Sequence, residues 1–232
     1  MHHAQFRRHA HSYDRYSLIQ ERVASALVSK INGPFDSIVD LGCGSGGFLK
    51  SYERSFIAYY AIDIAPEMLT LHPDDERVVK MVGDFNDASL FETLQGLDFD
   101  LLVSSSALQW SKNLDWTLER MAGLGRPVAM TIFTSETFAA IRNITGTPSP
   151  IRSREETIET IGKHFDAEID VLTYRLYFRN PLSMLRYIKH SGVSGGRQVL
   201  GYKETKKILS DYPHAYLEFE VVRALSKKIC NK

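Results

Sequence analysis

The sequence has little cysteine and no long apolar run, and both absences restrict what the protein can be. Its two cysteines, Cys43 and Cys230, are far apart and match neither a disulfide framework nor a metal-ligand spacing, so we expect a reducing compartment and no metal. No segment approaches the ~20 apolar residues that a membrane-spanning helix needs. Residues 1–15 are polar and basic, which argues against a signal peptide. These features predict a cytoplasmic protein without a membrane segment.

An excess of charge of either sign is also absent. The 28 lysines and arginines balance the 28 aspartates and glutamates, so the net charge is zero and nothing favours a nucleic-acid partner. Four histidines near the start, His2, His3, His9 and His11, match no common metal site. The length of 232 residues suits one domain, and we predict a single domain over residues 1–232.

The first half of the sequence alternates regularly between short apolar runs and helical patterns. Five runs have the length and apolar content of buried strands, at 37–41, 56–64, 77–82, 98–104 and 127–133. Helical patterns lie between them, at 47–53, 66–71, 90–95 and 114–122. Strands that alternate with helices predict a parallel sheet that is covered on both faces.

The second half departs from this alternation. We predict a helix over 135–144 with Ser135 as its cap. A second helix, over 153–161, opens with Ser153 followed three residues later by Glu156, which is a capping-box pattern. An extended segment, two helices and a last strand follow, at 169–178, 181–191, 202–209 and 215–222. The whole pattern predicts a doubly wound α/β fold, with a seven-stranded, mostly parallel sheet and a helical lid inserted after the fifth strand.

Three glycines at alternate positions follow the first predicted strand, in the segment Asp40-Leu41-Gly42-Cys43-Gly44-Ser45-Gly46. Glycines allow a sharp turn and let a ligand approach the backbone closely, and doubly wound sheets bind ligands at the carboxyl ends of their strands. Asp63 ends the second predicted strand, 21 residues after Gly42, where a carboxylate can accept both hydroxyls of a ribose. The segment therefore predicts a site for a ligand that contains a nucleoside.

The identity of that ligand depends on the glycine spacing. The segment has the spacing G-x-G-x-G and begins with Asp40, whose charge suits the cationic amino and sulfonium groups of S-adenosylmethionine better than a pyrophosphate. Counting from Gly42 through Gly44 to Gly47, however, gives G-x-G-x-x-G, the pattern of nicotinamide dinucleotide sites. S-adenosylmethionine is the favoured ligand, and a dinucleotide or a glycine-rich turn without a ligand stays open.

A further segment, Gly83-Asp84-Phe85, follows the third predicted strand, where an acid can accept from an adenine amino group and Phe85 can pack on the ring. With this segment in place, residues 35–133 resemble the class I S-adenosylmethionine-dependent methyltransferases. The resemblance implies a cofactor-binding core over 35–134. It implies that Asp40 holds the methionine amino group, Asp63 the ribose and Asp84 the adenine. The remaining implied cofactor contacts are Gly42, Cys43, Gly44, Gly46, Ile64, Met68, Phe85 and Ser104.

The segment after the fourth predicted strand narrows the substrate. Ala107-Leu108-Gln109-Trp110 resembles two groups of carboxylate methyltransferases, the malonyl-acyl-carrier-protein O-methyltransferases of biotin synthesis (the BioC family) and the trans-aconitate methyltransferases. Further segments resemble the BioC family in particular: Phe6, Ala10, Tyr13 and Gln20 at the start, 177–193, and the terminal strand at 216–222. Departures from the family pattern at Ser104-Ser105 and around 146–151 leave the shape of the lid and the exact acceptor open.

The BioC resemblance implies a methyl transfer that needs no general base, because a carboxylate is already ionised at neutral pH. Catalysis would rest on positioning in a closed site, with Tyr13 in a lid over the cofactor and Gln109 and Arg186 as further candidate catalytic residues. Residues 1–34 and about 135–192 would supply the lid and substrate elements. A basic lid surface for malonyl-acyl carrier protein would be formed by Arg179, Arg186 and Lys189.

Alternatives to this function come from several classes. The protein could methylate a small acid such as trans-aconitate, or another small molecule. It could be an inert cofactor-binding protein with a structural or regulatory role. The glycine pattern also allows a nicotinamide-dependent dehydrogenase. In each case we expect a monomer that binds neither nucleic acid nor membranes.

Overall fold

The structure, a computed structural model, describes residues 17–190 and 201–226. Tyr13, the four N-terminal histidines and Cys230 lie outside the described residues, and so does Gly192, the predicted end of a helix. Among the described residues, no helix is both long enough and apolar enough to cross a lipid bilayer.

Seven strands form a single sheet at the centre of the fold. Their bounds are β1 Ser37–Leu41, β2 Ala58–Asp63, β3 Val78–Val82, β4 Leu101–Ser105, β5 Val128–Phe133, β6 Ala167–Tyr177 and β7 Tyr216–Ser226. The strand order is β3-β2-β1-β4-β5-β7-β6. Strands β1 to β5 are parallel, whereas β7 runs antiparallel between β5 and β6. The predicted strands and the doubly wound α/β fold are confirmed.

Nine helices accompany the sheet within the described part of the chain. They are α1 Leu18–Val28, α2 Gly47–Ser51, α3 Pro66–Leu71, α4 Ala88–Gln95, α5 Leu114–Gly123, α6 Ala139–Thr145, α7 Arg154–His164, α8 Pro181–His190 and α9 Tyr202–Asp211. A short 3₁₀ turn, Leu108–Trp110, follows β4. Helices α6 and α7 lie between β5 and β6, where the helical insertion was predicted, while their role as a lid stays a prediction.

The two predicted helix caps have different outcomes. Ser153 caps α7 as predicted, since its hydroxyl accepts a hydrogen bond from the Glu156 backbone N–H at 3.1 Å. The prediction that Ser135 caps a helix is wrong, because α6 begins four residues later, after Phe138 adopts a left-handed backbone conformation with φ of 63°. A right-handed helix cannot pass through that conformation, so the chain turns before α6 begins.

Strand β1 lies at the point where the strand order reverses, between β2 on one side and β4 on the other. It is buried on both faces: Ile38 packs into one apolar cluster, and Val39 and Leu41 pack into the opposite one. In open α/β sheets, ligands bind at such a reversal, outside the carboxyl ends of the strands. The exit of β1 is therefore the expected centre of a ligand site.

A third apolar cluster joins α1, α6, α8 and α9 to β5 and β7. Its buried members include Ile19, Phe138, Tyr187, Ile208 and Phe219. Helix α1 is also hydrogen-bonded to the sheet. The buried Arg223 of β7 donates to the Ala26 carbonyl of α1 at 3.0 Å, and it pairs with Asp170 of β6. These contacts hold α1 beside the exits of the central strands.

Candidate active site

A cleft of about 670 Å³ opens at the carboxyl ends of the central strands, a size typical of sites for cofactors and small ligands. Its walls come from the exits of β1, β2, β3 and β4, from α1 and from the segment 149–152. Ten of the predicted site residues line it: Asp40, Gly42, Cys43, Gly44, Asp63, Ile64, Met68, Asp84, Phe85 and Gln109. The fold thus brings together residues that lie far apart in the sequence, while their binding roles remain predictions.

Three glycines turn the chain at the exit of β1, and each has a backbone conformation that favours glycine. The φ angles of Gly42, Gly44 and Gly46 are 74°, 55° and 85°. A Cβ on Gly42 would lie 2.3 Å from the Cβ of Ala107, so a side chain cannot be accommodated there. Gly46 was predicted to contact the cofactor, but it does not line the cleft: its Cβ position points at Pro73, whose Cδ would lie 2.5 Å away.

Gly47 separates the two possible glycine patterns. In a dinucleotide site the third glycine of G-x-G-x-x-G lets the helix pack closely on the strand. At Gly47, no atom of the described chain lies within 4 Å of the position that a Cβ would take, and φ is not positive. The glycines of this loop with a positive φ are Gly42, Gly44 and Gly46, which have the spacing G-x-G-x-G. This spacing argues against a dinucleotide-binding site.

Asp63, at the end of β2, fastens the glycine loop. One of its carboxylate oxygens accepts a hydrogen bond from the Gly44 N–H at 2.9 Å, and the other accepts one from the Ala65 N–H at 2.8 Å. The side chain therefore fixes the exit of β1 relative to that of β2. A carboxylate has about four acceptor positions, so these bonds are compatible with the predicted contact to ribose hydroxyls.

The Asp40 carboxylate is buried beside this loop, with 1% of the residue exposed. The Tyr59 hydroxyl donates to its Oδ2 at 2.6 Å, whereas Oδ1 has no hydrogen-bond partner among the described residues. Burial raises the pKa of Asp40 to about 7, with the Tyr59 hydrogen bond opposing the shift and the charge of Asp63 adding to it. A cationic ligand group at Oδ1 would relieve the cost of this buried charge.

These residues fit S-adenosylmethionine. Its cationic amino group would supply the partner that Asp40 Oδ1 lacks within the described chain, and the loop at Gly42 and Gly44 lets a ligand approach the backbone. The Cys43 thiol between them stays protonated, because burial, and then the charges of Asp40 and Asp63, raise its pKa well above the ordinary value. The described residues hold no cluster of three side chains that could bind a metal ion.

Asn86 links the exits of β3 and β4, and no sequence pattern singled it out. Its backbone N–H and its Nδ2 both donate to Asp84 Oδ1, at 2.8 and 2.7 Å. Its side-chain oxygen accepts from the Lys112 N–H at 2.7 Å. Phe85 lies nearby, with its Cε1 at 3.8 Å from the Cβ position of Gly42. The two loops are therefore tied together at the edge where the adenine contact is predicted.

The exit of β4 contributes one predicted residue, Gln109, but not the predicted Ser104. Ser104 does not line the cleft, because it is fully buried and its hydroxyl donates to the Leu41 carbonyl at 2.8 Å. Strand β4 continues one residue further than predicted, and Ser105 and Ser106 line the cleft instead. Gln109 also lines it: its Nε2 donates to the Ser106 carbonyl at 2.6 Å, and its buried Oε1 has no partner in the described chain.

Arg152 is a basic residue of the cleft that the sequence patterns missed. It lies just before α7, and its guanidinium donates to the carbonyls of Ser111 at 3.0 Å and Lys112 at 3.4 Å. It also pairs with Glu156 at 3.4 Å. These contacts fasten the segment before α7 to the exit of β4. They connect parts of the chain that are distant in sequence, so no local pattern could have found them.

The basic residues predicted for the lid lie elsewhere. Arg186 is exposed on α8 and does not line the cleft, so the structure does not support its predicted catalytic role. The cause is the orientation of α8, which buries Tyr187 and Ile188 against the sheet and leaves the charged positions in solvent. Arg179 and Lys189 are also exposed, and all three residues remain candidates for a basic surface.

The glycine loop generates the first prediction. We expect Gly42→Ala to abolish binding of S-adenosylhomocysteine, because the new Cβ would collide with Ala107. Gly47→Ala, at another glycine of the cleft wall, is the matched comparison and should keep the dissociation constant within about twofold, since its Cβ would meet no atom of the described chain and alanine favours a helix. Titration calorimetry measures both constants, and circular dichroism verifies that each variant folds. Binding that survives in Gly42→Ala but is lost in Gly47→Ala would contradict the G-x-G-x-G assignment.

The buried carboxylate generates the second prediction. At pH 8, Asp40→Asn should stabilise the ligand-free protein by roughly 1–3 kcal/mol, because it removes a buried charge, and it should also lose S-adenosylhomocysteine binding. Since the folded-state pKa of about 7 exceeds the ordinary 3.8, ionisation costs stability progressively between those values. The stabilisation should therefore shrink as the pH falls from 7 towards 4.

Thermal unfolding between pH 4 and pH 8 measures this effect. Asp98→Asn is the control, because the Asp98 side chain is fully exposed and its charge carries no burial cost. An Asp40→Asn variant that is less stable than the wild type at pH 8, or one whose advantage does not change with pH, would show that burial of this charge is not the cost that we assign to it.

Comparison with known proteins gives consistent relatives. A family profile described as a methyltransferase domain matches residues 39–130. Three curated relatives are each named malonyl-acyl-carrier-protein O-methyltransferase. The one from Calditerrivibrio nitroreducens is 24% identical, and the alignment covers 93% of this chain and 87% of the relative. Those from Haemophilus influenzae and Brevibacillus brevis are 28% and 27% identical, covering 91% and 97% of this chain and 83% and 95% of theirs.

Solved structures share the fold at low sequence identity. YcgJ from Bacillus subtilis superposes with a TM-score of 0.61 at 10% identity, over 88% of this chain and 98% of its own. An S-adenosylmethionine-dependent methyltransferase from Thermotoga maritima gives 0.56 at 16%, over 97% and 99%. The cyclase SpnF gives 0.51 at 14%, over 89% and 81%. At these identities the similarity shows the fold alone.

A shared fold leaves the chemistry open, as the cyclase among these structures illustrates. The sequence comparisons narrow it, because the family profile covers the glycine loop and the curated relatives extend over most of the chain. All of them describe methyl transfer, and none of the relatives named above is a dehydrogenase. The chain is therefore a class I S-adenosylmethionine-dependent methyltransferase, with S-adenosylmethionine as its cofactor, and it resembles the malonyl-acyl-carrier-protein O-methyltransferases.

Proposed function

We propose that this enzyme methylates the free carboxylate of a malonyl thioester on acyl carrier protein, an early step of biotin synthesis. The observation that carries the proposal is the extent of the similarity. Relatives with that name align over 83–95% of their own length and over 91–97% of this chain. The similarity therefore extends beyond the cofactor core to the outer elements, where we expect the acceptor to bind.

The cofactor-binding roles are part of this proposal. The cofactor supplies a methyl group on a positively charged sulfur. Asp40 would accept from its amino group, Asp63 from the ribose hydroxyls and Asp84 from the adenine amino group. The other contacts would come from cleft residues: Gly42, Cys43, Gly44, Ile64, Met68 and Phe85. The unpaired Oδ1 of Asp40 is the strongest support, because this buried oxygen belongs to a residue that lines the cleft and has no partner among residues 17–190 and 201–226.

Apart from Asp40, which we assign to the amino group of the cofactor, the acids of the described cleft are already engaged, which suits an acceptor that needs no general base. Asp63 and Asp84 accept hydrogen bonds from backbone N–H groups. Glu21 accepts one from a serine hydroxyl, and Glu156 pairs with Arg152. No histidine lines the part of the cleft that the structure describes. A carboxylate acceptor is ionised at neutral pH, so the enzyme has only to orient it and to exclude water.

A basic surface on α8 and α9 suits an acidic carrier protein. Arg186 and Lys189 are exposed three residues apart, on one face of α8. Helix α9 contacts α8 and adds further exposed lysines. The basic surface consists of Arg179, Arg186, Lys189, Lys203, Lys206 and Lys207. Both helices share an apolar cluster with α1, which lines the cleft, so a carrier protein docked there would lie near the site.

The proposed lid comes from the segments around the core. Within a single domain over 1–232, residues 35–134 would form the cofactor-binding core, and residues 1–34 and about 135–192 would form the lid and substrate elements. Helix α1 and the segment 149–152 border the cleft in support of this division. Tyr13, the proposed lid contact over the cofactor, lies outside the described residues.

Purified protein with S-adenosylmethionine and malonyl-acyl carrier protein should give the malonyl methyl ester, which mass spectrometry detects. The double variant Arg186→Glu, Lys189→Glu should raise KM for the carrier-bound substrate roughly tenfold at low salt, because complementary charge speeds encounter. The small thioester malonyl-N-acetylcysteamine is the matched control, since it keeps the same acceptor carboxylate but lacks the carrier protein, makes no use of the basic surface and should react equally well with both proteins.

Other outcomes separate the alternatives. Methylation of trans-aconitate without any malonyl ester would overturn the proposed acceptor and leave a small-acid methyltransferase. No transfer to any of these acids, together with intact S-adenosylmethionine binding, would favour the inert cofactor-binding protein. An equal loss of activity on both thioesters in the double variant would contradict a carrier-docking role for Arg186 and Lys189.

A further inference from the structure

Ser106, just after β4, has an unfavourable backbone conformation. Its φ is 61°, in the left-handed region, and Phe138 is the only other non-glycine residue of the described chain with a positive φ. Its backbone is held from two sides: its N–H donates to the Thr131 carbonyl at 3.0 Å and lies 3.1 Å from Thr131 Oγ1. Its carbonyl accepts from Gln109 Nε2 at 2.6 Å. The surroundings therefore impose a conformation that glycine would adopt without strain.

The hydroxyl of Ser106 carries a second cost. Its oxygen is buried and has no hydrogen-bond partner among the described residues. A buried hydroxyl without a partner destabilises the folded state, because it has given up its bonds to water. Glycine at this position would remove both the strain and the unpaired hydroxyl. A serine that is unfavourable in two independent ways, in the wall of the cleft, points to a role for its hydroxyl in binding a ligand.

The neighbouring residues indicate which ligand group this is. Ala107, the next residue, packs against Gly42, so Ser106 lies beside the loop that is assigned to the methionine part of the cofactor. Two other buried cleft oxygens lack a partner in the described chain, Asp40 Oδ1 and Gln109 Oε1. Both oxygens can only accept hydrogen bonds, because neither a carboxylate oxygen nor an amide oxygen carries a proton. Of the three, only the Ser106 hydroxyl can donate.

We propose that the Ser106 hydroxyl donates a hydrogen bond to one carboxylate oxygen of the methyl acceptor and so directs the second oxygen towards the methyl group. This inference rests on the proposed function, since it assumes a carboxylate acceptor. Gln109 then acts through Ser106, because its Nε2 fixes the strained carbonyl. In this proposal Gln109 positions Ser106, and its unpartnered Oε1 is not the contact to the carboxylate, because that oxygen would repel a negative charge.

Two substitutions test the role of the hydroxyl. Ser106→Gly and Ser106→Ala should both lower kcat/KM for the acceptor roughly tenfold to a hundredfold, the effect expected of one hydrogen bond to a charged group. Both should keep the dissociation constant of S-adenosylhomocysteine within about twofold, because the cofactor contacts are unchanged. Ser106→Gly should also raise the midpoint of thermal unfolding, whereas a residue with a merely structural role would lower it.

Ser89→Ala is the control, since Ser89 is exposed on α4 and does not line the cleft. Wild-type kcat/KM in both Ser106 variants would overturn the inference. So would a parallel loss of S-adenosylhomocysteine binding, because the hydroxyl would then serve the cofactor. If the wild type methylates trans-aconitate rather than malonyl-acyl carrier protein, the proposed function fails. The role of Ser106 is then tested by kcat/KM of the two Ser106 variants for trans-aconitate, which should fall by the same factor. If the wild type methylates neither carboxylate, both proposals fail.

Discussion

The buried carboxylate of Asp40 is the group around which the rest of the site is arranged. Its strand, β1, is paired on both sides, with Asp40 opposite Ala61 of β2 and Val103 of β4. Tyr59 satisfies one carboxylate oxygen, while the other is buried without a partner in the described chain. The protein therefore folds at a cost that a cationic ligand group can repay, which couples stability to ligand binding.

The glycine loop follows from that position. After Asp40 the chain leaves the sheet and turns sharply, through the left-handed conformations of Gly42 and Gly44. The space that side chains would fill at this exit is taken by Ala107, and Asp63 holds the loop through the Gly44 N–H. The glycine loop, Asp63 and Ala107 contact one another, so a substitution in any of them should weaken cofactor binding.

Sequence reasoning succeeded where the signal is local. The apolar runs of the central strands and the glycine spacing predict β1 and its exit, because buried parallel strands and tight turns have their own residue patterns. It failed where the outcome depends on tertiary contacts. The strain at Ser106 comes from β5, and the position of Arg152 comes from contacts with the β4 exit. Arg186 was placed in the site because sequence spacing cannot tell which face of α8 is buried.

Proton release on cofactor binding tests the central role of Asp40 most directly. Calorimetry of S-adenosylhomocysteine binding in buffers of different ionisation enthalpy counts the protons that are released. With a pKa of about 7 in the free protein, Asp40 is mostly protonated at pH 6 and must ionise to bind the amino group. The account predicts release of close to one proton per ligand at pH 6 and almost none at pH 8. Binding at pH 6 without proton release would contradict it.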